Sequence, residues 1–499
     1  MSSQVASSLA AALGAVGYAL VTIFTYVVTG RLQSLLTTGE FWFAAWLFGA
    51  LAFLNTWDFP IYLSLLMLVL LWAGRNLGWR ELVARWSATG AALVVGGVLF
   101  YLPWYPSFSS QAGGILPNLA YPTKIQQFYV MFATSFTPIV VWLFWRWRKA
   151  HPNANLIRFT LVGVGVPMGL LLLSWALAGA IFLLRGFFGI TTGEILGAMG
   201  ASDLQQGILS ALYIRLTQPF TALALGFTLA ICALLLWPKF FSRTREAVES
   251  FGDDGDPRPF IVLLVGVGAL LVIGPEFLYL KDLFGTRMNT VFKFYYGAWL
   301  LWGIAGAYAL TELWPRRWSG ARVLRSLVVL PLILGLVYPL AATWTKTDGF
   351  DPPGGRTLDS TAYVAQDQPD EAAAVAWIKA NLTGGVIAEA VGQSYTQYAR
   401  ISELTGLPTV IGWLGHEDQW RGTTQYRSRA DDVATLYTSH NQADIQRVLD
   451  AYNIAYVYVG PLERSTYQIR SLTTLQSFLV TLYQNNSVTI FGVPGRVQR

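Results

Sequence analysis

Apolar residues run in long blocks, broken by short polar stretches, from the N-terminus to about residue 345. Ten blocks are candidate membrane spans: 6–28, 41–55, 58–74, 82–103, 124–146, 158–184, 214–237, 258–275, 290–311 and 323–343. Most approach the roughly 20 residues a helix needs to cross the hydrocarbon core. The second and third are short and meet at Asn55-Thr56-Trp57-Asp58-Phe59-Pro60. That run is either a loop between two spans or a break within one long helix. Past residue 345 the pattern changes. Asp351-Pro352-Pro353-Gly354-Gly355 reads as a linker. Residues 371–381 and 443–452 have helical periodicity, and 385–389, 455–459 and 488–491 are strand-like. The expected architecture is a polytopic α-helical membrane domain over 1–345 followed by a small extracytoplasmic α/β domain over 346–499.

Composition agrees with a membrane protein. Hydrophobic residues make up 54% of the 499 and charged residues 12%, about half the charged share of a soluble domain. Charge also divides at residue 345. The first part holds 22 Lys/Arg against 13 Asp/Glu, and the second 12 against 15. Basic residues at membrane edges account for the positive part without a nucleic-acid partner. A single cysteine, Cys232, lies inside an apolar run, so no internal disulfide forms.

Loop charge sets an expected orientation. Arg75, Arg80 and Arg85 follow the third span, and Arg146, Arg148 and Lys149 the fifth. Lys239, Arg243 and Arg245 follow the seventh, and Arg316, Arg317, Arg322 and Arg325 the ninth. Lys- and Arg-rich loops stay in the cytoplasm. The other loops and the tail then face outward, in a multi-pass protein of the plasma membrane. Ten spans put the N-terminus outside as well, and Met1-Ser2-Ser3-Gln4 lacks the positive n-region of a signal peptide. The chain is therefore expected to be the C-terminal part of a longer protein, or the span count is off by one.

Once the topology signals are set aside, the remaining polar residues cluster in three places. The first is the run around Asp58. A carboxylate deep in an apolar stretch is costly and faces a cavity or a partner. Asp58 would be a general base, a metal ligand or a hydrogen-bond acceptor for substrate, or else a helix cap. The second precedes the ninth span: Glu276, Lys281, Asp282, Arg287, Asn289 and Lys293, then Tyr295 and Tyr296. With a helix starting near Met288, Asn289 and Lys293 share a face. Arg287 offers a planar fork and Lys293 a point charge, a pairing suited to a lipid phosphate. The alternative is snorkelling cations with acidic partners. The third lies in the tail: Tyr395, Arg400, Trp413, His416, Glu417, Gln419, Trp420 and Arg421. Rings beside acids and bases fit a sugar-contacting surface, or an amphipathic helix docking the tail. His416-Glu417-Asp418-Gln419-Trp420 fails the zinc pattern H-E-x-x-H at its last position. Gly163-Val164-Gly165-Val166-Pro167-Met168-Gly169 lies inside a span, where close helix packing explains it better than nucleotide binding.

Several stretches resemble one family. Phe292-Lys293-Phe294-Tyr295-Tyr296-Gly297 after Arg287-Met288-Asn289-Thr290 is similar to the hallmark of the Chlor_Arch_YYY membrane family. Asn55-Thr56-Trp57-Asp58-Phe59-Pro60, Thr405-Gly406-Leu407-Pro408-Thr409 and His416-Glu417-Asp418-Gln419-Trp420-Arg421-Gly422 resemble it too. The architecture in turn resembles the GT-C glycosyltransferases, which use polyprenyl-phosphate sugars; this second step is analogy of architecture. The resemblance implies a lipid bilayer and a polyprenyl-phosphate-linked sugar as partners. It assigns Asp58 as base and Glu276 or Asp282 as substitutes or ligands to a divalent metal ion. Arg287 and Lys293 would hold phosphate, with Asn289, Tyr295 and Tyr296 as further substrate-binding residues. Arg400, His416, Glu417, Trp420 and Arg421 would meet sugar or acceptor. The acidic residue that such enzymes carry early in the chain has no counterpart here, which points to a separately encoded N-terminal half. Two other functions compete: a transporter or flippase for a lipid-linked head group, and a non-catalytic subunit of a split enzyme.

Overall fold

The computed structural model describes residues 38–74, 77–106, 108, 113–150, 156–184, 192–237, 256–282, 285–314, 321–351, 355–421 and 427–498. The side chains of residues 150, 194, 195, 197, 198, 321, 322, 324, 419–421 and 427 fall outside that description. So do the expected first span, 6–28, the basic residues Arg75, Lys239, Arg243, Arg245, Arg316 and Arg317, and Pro352, Pro353 and Gly354 of the expected linker. The chain divides into two compact units, Met1–Tyr338 and Pro339–Arg499.

The first unit is helical. Its elements are α1 (Gly39–Leu54), α2 (Asp58–Ala73), α3 (Trp79–Phe100), β1 (Ile115–Pro117), α4 (Ile125–Ala150), α5 (Leu156–Leu183) and α6 (Thr192–Met199). They continue with α7 (Leu204–Thr217), α8 (Phe220–Leu236), α9 (Arg258–Phe277), β2 (Leu278–Leu280), α10 (Met288–Leu313) and α11 (Ala321–Lys346), whose last turns group with the second unit. The Asn55 run is a turn between two separate helices, and Phe48 of α1 meets Phe59 of α2 edge-on at 6.3 Å. Among the described residues, α3, α4, α5, α9 and α11 are long and apolar enough to cross a membrane. A sixth crossing results if α7 and α8, bent by 56° at a short break, are one span. That is fewer than the ten expected. Helices α1 and α2 have 16 residues each, short of the roughly 20 a crossing needs. Helix α10 has 26 residues, but its charge-free stretch 294–311 is rich in Tyr, Trp and Gly, so it is long enough and less apolar than the helices named above.

Helix α9 is apolar all round and correspondingly buried, packed against α8 and α10. Helix α4 lies against α8 and α10. Phe128, Phe132, Phe136 and Trp302 fill the space between them, all almost fully buried. Gly268 lets Trp302 lie flat on α9: a Cβ there would come within 2.3 Å of the indole nitrogen. That nitrogen donates to the Val265 carbonyl at 3.1 Å. The glycine run in α5 also serves packing. Gly163 faces Gly226 of α8 so closely that a Cβ on Gly226 would sit 2.1 Å from the Gly163 carbonyl.

The second unit is built on a four-stranded sheet of β3 (Val386–Ala388), β4 (Ile454–Val459), β5 (Val480–Gln484) and β6 (Thr489–Gly492), in the order β3-β4-β6-β5. Strands β3 and β4 are parallel and the other pairs antiparallel. Every residue of β4 is buried, as expected of a strand covered on both faces. Ile454, Val457 and Val459 meet one apolar cluster with Leu436 and Leu449, and Ala455, Tyr456 and Tyr458 another with Ile378 and Ile401. The helices relevant to the site are α12 (Pro369–Asn381), α13 (Arg400–Thr405), α14 (Leu414–Arg421), α15 (Arg427–Thr438) and α16 (Pro461–Tyr467).

Candidate functional site

Polar groups in the first unit converge at one end of the bundle, where α9 runs into β2. Glu276 ends α9 and is 1% exposed. An unpaired carboxylate there would be very costly, and four groups answer it. Thr123 donates its backbone N–H at 2.8 Å and its hydroxyl at 2.5 Å. Arg287 forms an ion pair at 2.9 Å, and the Tyr295 hydroxyl donates at 3.4 Å. Arg287 also donates to the Pro275 carbonyl and the Thr123 hydroxyl, both at 3.1 Å. Arg215, just before the α7–α8 break, is buried and donates to the carbonyls of Asn118, Leu119 and Glu276. Asn118 donates to the carbonyls of Pro275 and Glu276. The node thus ties β1, the start of α4, the α7–α8 break and the β2–α10 turn to the end of α9.

A cleft of about 930 Å³ opens beside this node. Its walls are mostly apolar and include Trp175, Ile181 and Phe182 of α5, Leu119, Met199 and Val291. Lys281, Thr286, Arg287 and Asn118 are among its polar lining residues. Lys281 is exposed, and its ammonium makes no hydrogen bond or ion pair among the described residues.

The opposite end of the bundle has a second polar cluster. Glu312 of α10 pairs with Arg146 and accepts from the Trp142 indole at 3.2 Å and the Tyr308 hydroxyl at 3.4 Å.

In the second unit, Arg400 is buried and grips Glu371 with two bonds, from Nε at 2.6 Å and Nη2 at 2.5 Å. Its third nitrogen reaches Glu463 at 3.3 Å. Glu463 also accepts the N–H groups of Ala390 and Gly460, both at 2.9 Å. Glu389 accepts the N–H groups of Ile401 and Ser402 at 2.8 and 2.9 Å and so caps α13. Burial pushes the Glu389 carboxyl above its usual value. A cleft of about 740 Å³ lies on the other side of α13, with Glu403, Trp413, His416, Glu417 and Arg429 along it.

The comparison that bears on identity covers residues 6–302, which match the family model described as "Uncharacterized membrane protein (DUF2298)". The chain belongs to this family. No curated protein and no solved structure matches it. The DUF2298 match takes in the whole Glu276 node and stops before the second unit.

Within this DUF2298 protein, the expected site residues separate by role. Glu276, Arg287 and Tyr295 come together, but as a satisfied interior node. Tyr296 points away, 62% exposed, beside Phe292 and Trp299. Asn289 donates to Asp282 at 2.7 Å. Lys293 is half-buried, with its ammonium 5.7 Å from the centre of the Phe292 ring. Asp58 sits in the first turn of α2 and accepts from Asn55 at 3.0 Å. The Trp57 ring meets Phe294 at 6.1 Å, so the Asp58 turn lies against α10. Arg400 corrects the sequence reading: it is an interior clamp, held because two buried carboxylates need a cation. His416 lies within 2.9 Å of the Tyr395 hydroxyl. The side chains of Trp420 and Arg421 lie outside the described residues. No group of three or more His, Cys, Asp or Glu suited to a metal ion occurs among the described residues. Glu276 and Asp282 are each engaged by neighbours, Glu276 by Arg287 and Asp282 by Asn289.

Sequence reasoning missed Asn118, Thr123, Arg215 and Thr221, which donates to the Thr123 carbonyl at 2.8 Å. Arg215 carried a signal: a guanidinium in an apolar run just before Pro219.

Proposed function

We propose that this DUF2298 protein is a membrane glycosyltransferase of the GT-C kind that takes its sugar from a polyprenyl-phosphate donor. One observation carries the reading: a mostly apolar cleft whose lining includes two cations, Lys281 and Arg287. Its walls suit an isoprenoid chain and its cations a phosphate. In this reading Glu276 orients Arg287 and is not the base. That role falls to Asp58, half-buried at the start of α2 and beside the first turns of α10. The carboxylate takes the proton from an acceptor hydroxyl as its oxygen bonds to the anomeric carbon. The bond from that carbon to the phosphate oxygen breaks, and Lys281 and Arg287 stabilise the charge left on the lipid phosphate.

Orientation follows from the same reading. Arg146, Arg148 and Lys149 lie at the end of α4 away from the node, so the positive-inside rule turns the node and the second unit outward at the plasma membrane. Counting 6–28, α1, α2, the bent pair and α10 as crossings restores ten. A separately encoded N-terminal half, supplying an acidic outer loop, belongs to the proposal.

The 56° break between α7 and α8 favours a second reading, transport of a lipid-linked head group. Against it, Phe128, Phe132, Phe136 and Trp302 fill the core between the two polar clusters. One assay separates the readings. Purified protein in liposomes, with its N-terminal partner if one co-purifies, is given labelled polyprenyl-phosphate sugars and a mixed acceptor pool. Label is expected to leave the lipid, and Asp58→Asn to slow this by about two orders of magnitude, as for loss of a general base. Label that crosses the bilayer still joined to its lipid would establish transport instead.

A further inference from the structure

The cleft in the second unit has no part in the lipid site, and it is built as a binding site in its own right. Its floor is the extended segment 408–412, fixed along the edge of β3: the Ile387 N–H donates to the Pro408 carbonyl at 2.8 Å, and Thr409 bridges to Ile387. One wall is α13, with Ser402 and Glu403, held by the cap from Glu389. The other is the start of α14, with His416 and Glu417. Trp413 stands between them, its indole N–H held by the Tyr398 carbonyl at 2.6 Å. His416 of the cleft and Tyr395, which adjoins the cleft without lining it, have ring centres 5.2 and 5.4 Å from that of Trp413. Tyr395 is 74% exposed and has a φ of +60°, a conformation rare for a bulky residue. Such strain persists where the surroundings impose it, commonly at binding sites.

We infer that this cleft binds a neutral oligosaccharide. Flat rings present an apolar face to the C–H face of a pyranose, and carboxylates accept from its hydroxyls. The cleft's volume, about 740 Å³, falls within the roughly 300–1,000 Å³ of small-molecule sites. Among the described side chains, Glu403 and Glu417 share the cleft with one guanidinium, that of Arg429, which is already tied to the Val410 carbonyl at 2.9 Å and stacked over Tyr452, a balance that disfavours anions. Glu403 is exposed and makes no side-chain hydrogen bond or ion pair among the described residues, so its oxygens remain open to hydroxyls. The inference rests on this unit alone and not on the transfer reaction.

The test is calorimetric titration of the full chain in nanodiscs with neutral trisaccharides of glucose, mannose and galactose, and with inorganic phosphate and spermidine as controls. Saturable binding of at least one trisaccharide is expected. Glu403→Gln should weaken it about tenfold, the loss of a hydrogen bond to a charged acceptor, with an unchanged melting temperature because the side chain is exposed. Trp413→Ala should abolish binding; as its indole also holds Tyr398, Glu403→Gln is the cleaner variant. Absence of trisaccharide binding, tight binding of phosphate or spermidine instead, or trisaccharide binding indifferent to both substitutions would overturn the inference. Sugar binding without sugar transfer would leave it standing and count only against the enzymatic reading.

Discussion

Arg400→Ala is expected to unfold the second unit, at a cost of about 3–5 kcal/mol. The reason is what it leaves behind. Glu371 and Glu463 are almost fully buried, and Arg400 holds both. Removing the cation leaves two buried carboxylates without their counter-charge. Arg400→Lys should fall between, because an ammonium cannot repeat the two-pronged grip on Glu371. Limited proteolysis and thermal melting of the purified chain would measure this. A folded Arg400→Ala protein that had lost only ligand binding would return Arg400 to the surface role that its sequence neighbours imply.

Arg287→Ala should be nearly as damaging to the first unit, again by about 3–5 kcal/mol, since Glu276 would then be an uncompensated buried charge. Lys293→Ala, only a few residues along the same helix, should leave stability almost unchanged, because no ion pair holds Lys293 among the described residues. The double replacement Glu276→Leu with Arg287→Met should recover most of the loss, as apolar isosteres often do for a buried pair. Size-exclusion profiles after heating in detergent distinguish the three. Equal losses from Arg287→Ala and Lys293→Ala would contradict the division between a structural cation and a free one.

That division was only partly legible in the sequence. The crowding of Glu276, Arg287 and Tyr295 was visible because charge is scarce in this chain, and the helix start assumed near Met288 is where α10 begins. Their partners were not visible. Thr123 and Asn118 lie more than 150 positions from Glu276, and a threonine or an asparagine in a loop carries no signal of its own. Tyr295 and Tyr296 are adjacent in sequence, yet the helical turn sends one into the core and the other outward. Arg400 misled because it sits among residues that do reach the surface; only the fold brings Glu371 and Glu463 to it. Strands β3, β4 and β6 were readable as short β-rich runs. Strand β5 was not, since Val480-Thr481-Leu482-Tyr483-Gln484 is an edge strand with mixed exposure. Among the described residues five helices, or six with the bent pair, are long and apolar enough to cross, and α1 and α2 are shorter than a full crossing, so the ten runs read from the sequence are not all matched by helices of crossing length.

The most direct test of the account is photo-crosslinking with a polyprenyl phosphate that carries a diazirine in its first isoprene unit. The expected result is labelling concentrated on residues 175–182 of α5 and around Val291. It should be competed by unlabelled polyprenyl phosphate and reduced at least about tenfold by Lys281→Glu, a charge reversal at an exposed side chain that leaves the fold intact. Labelling spread along the lipid-facing helices and indifferent to Lys281→Glu would contradict the claim that this cleft receives a lipid phosphate.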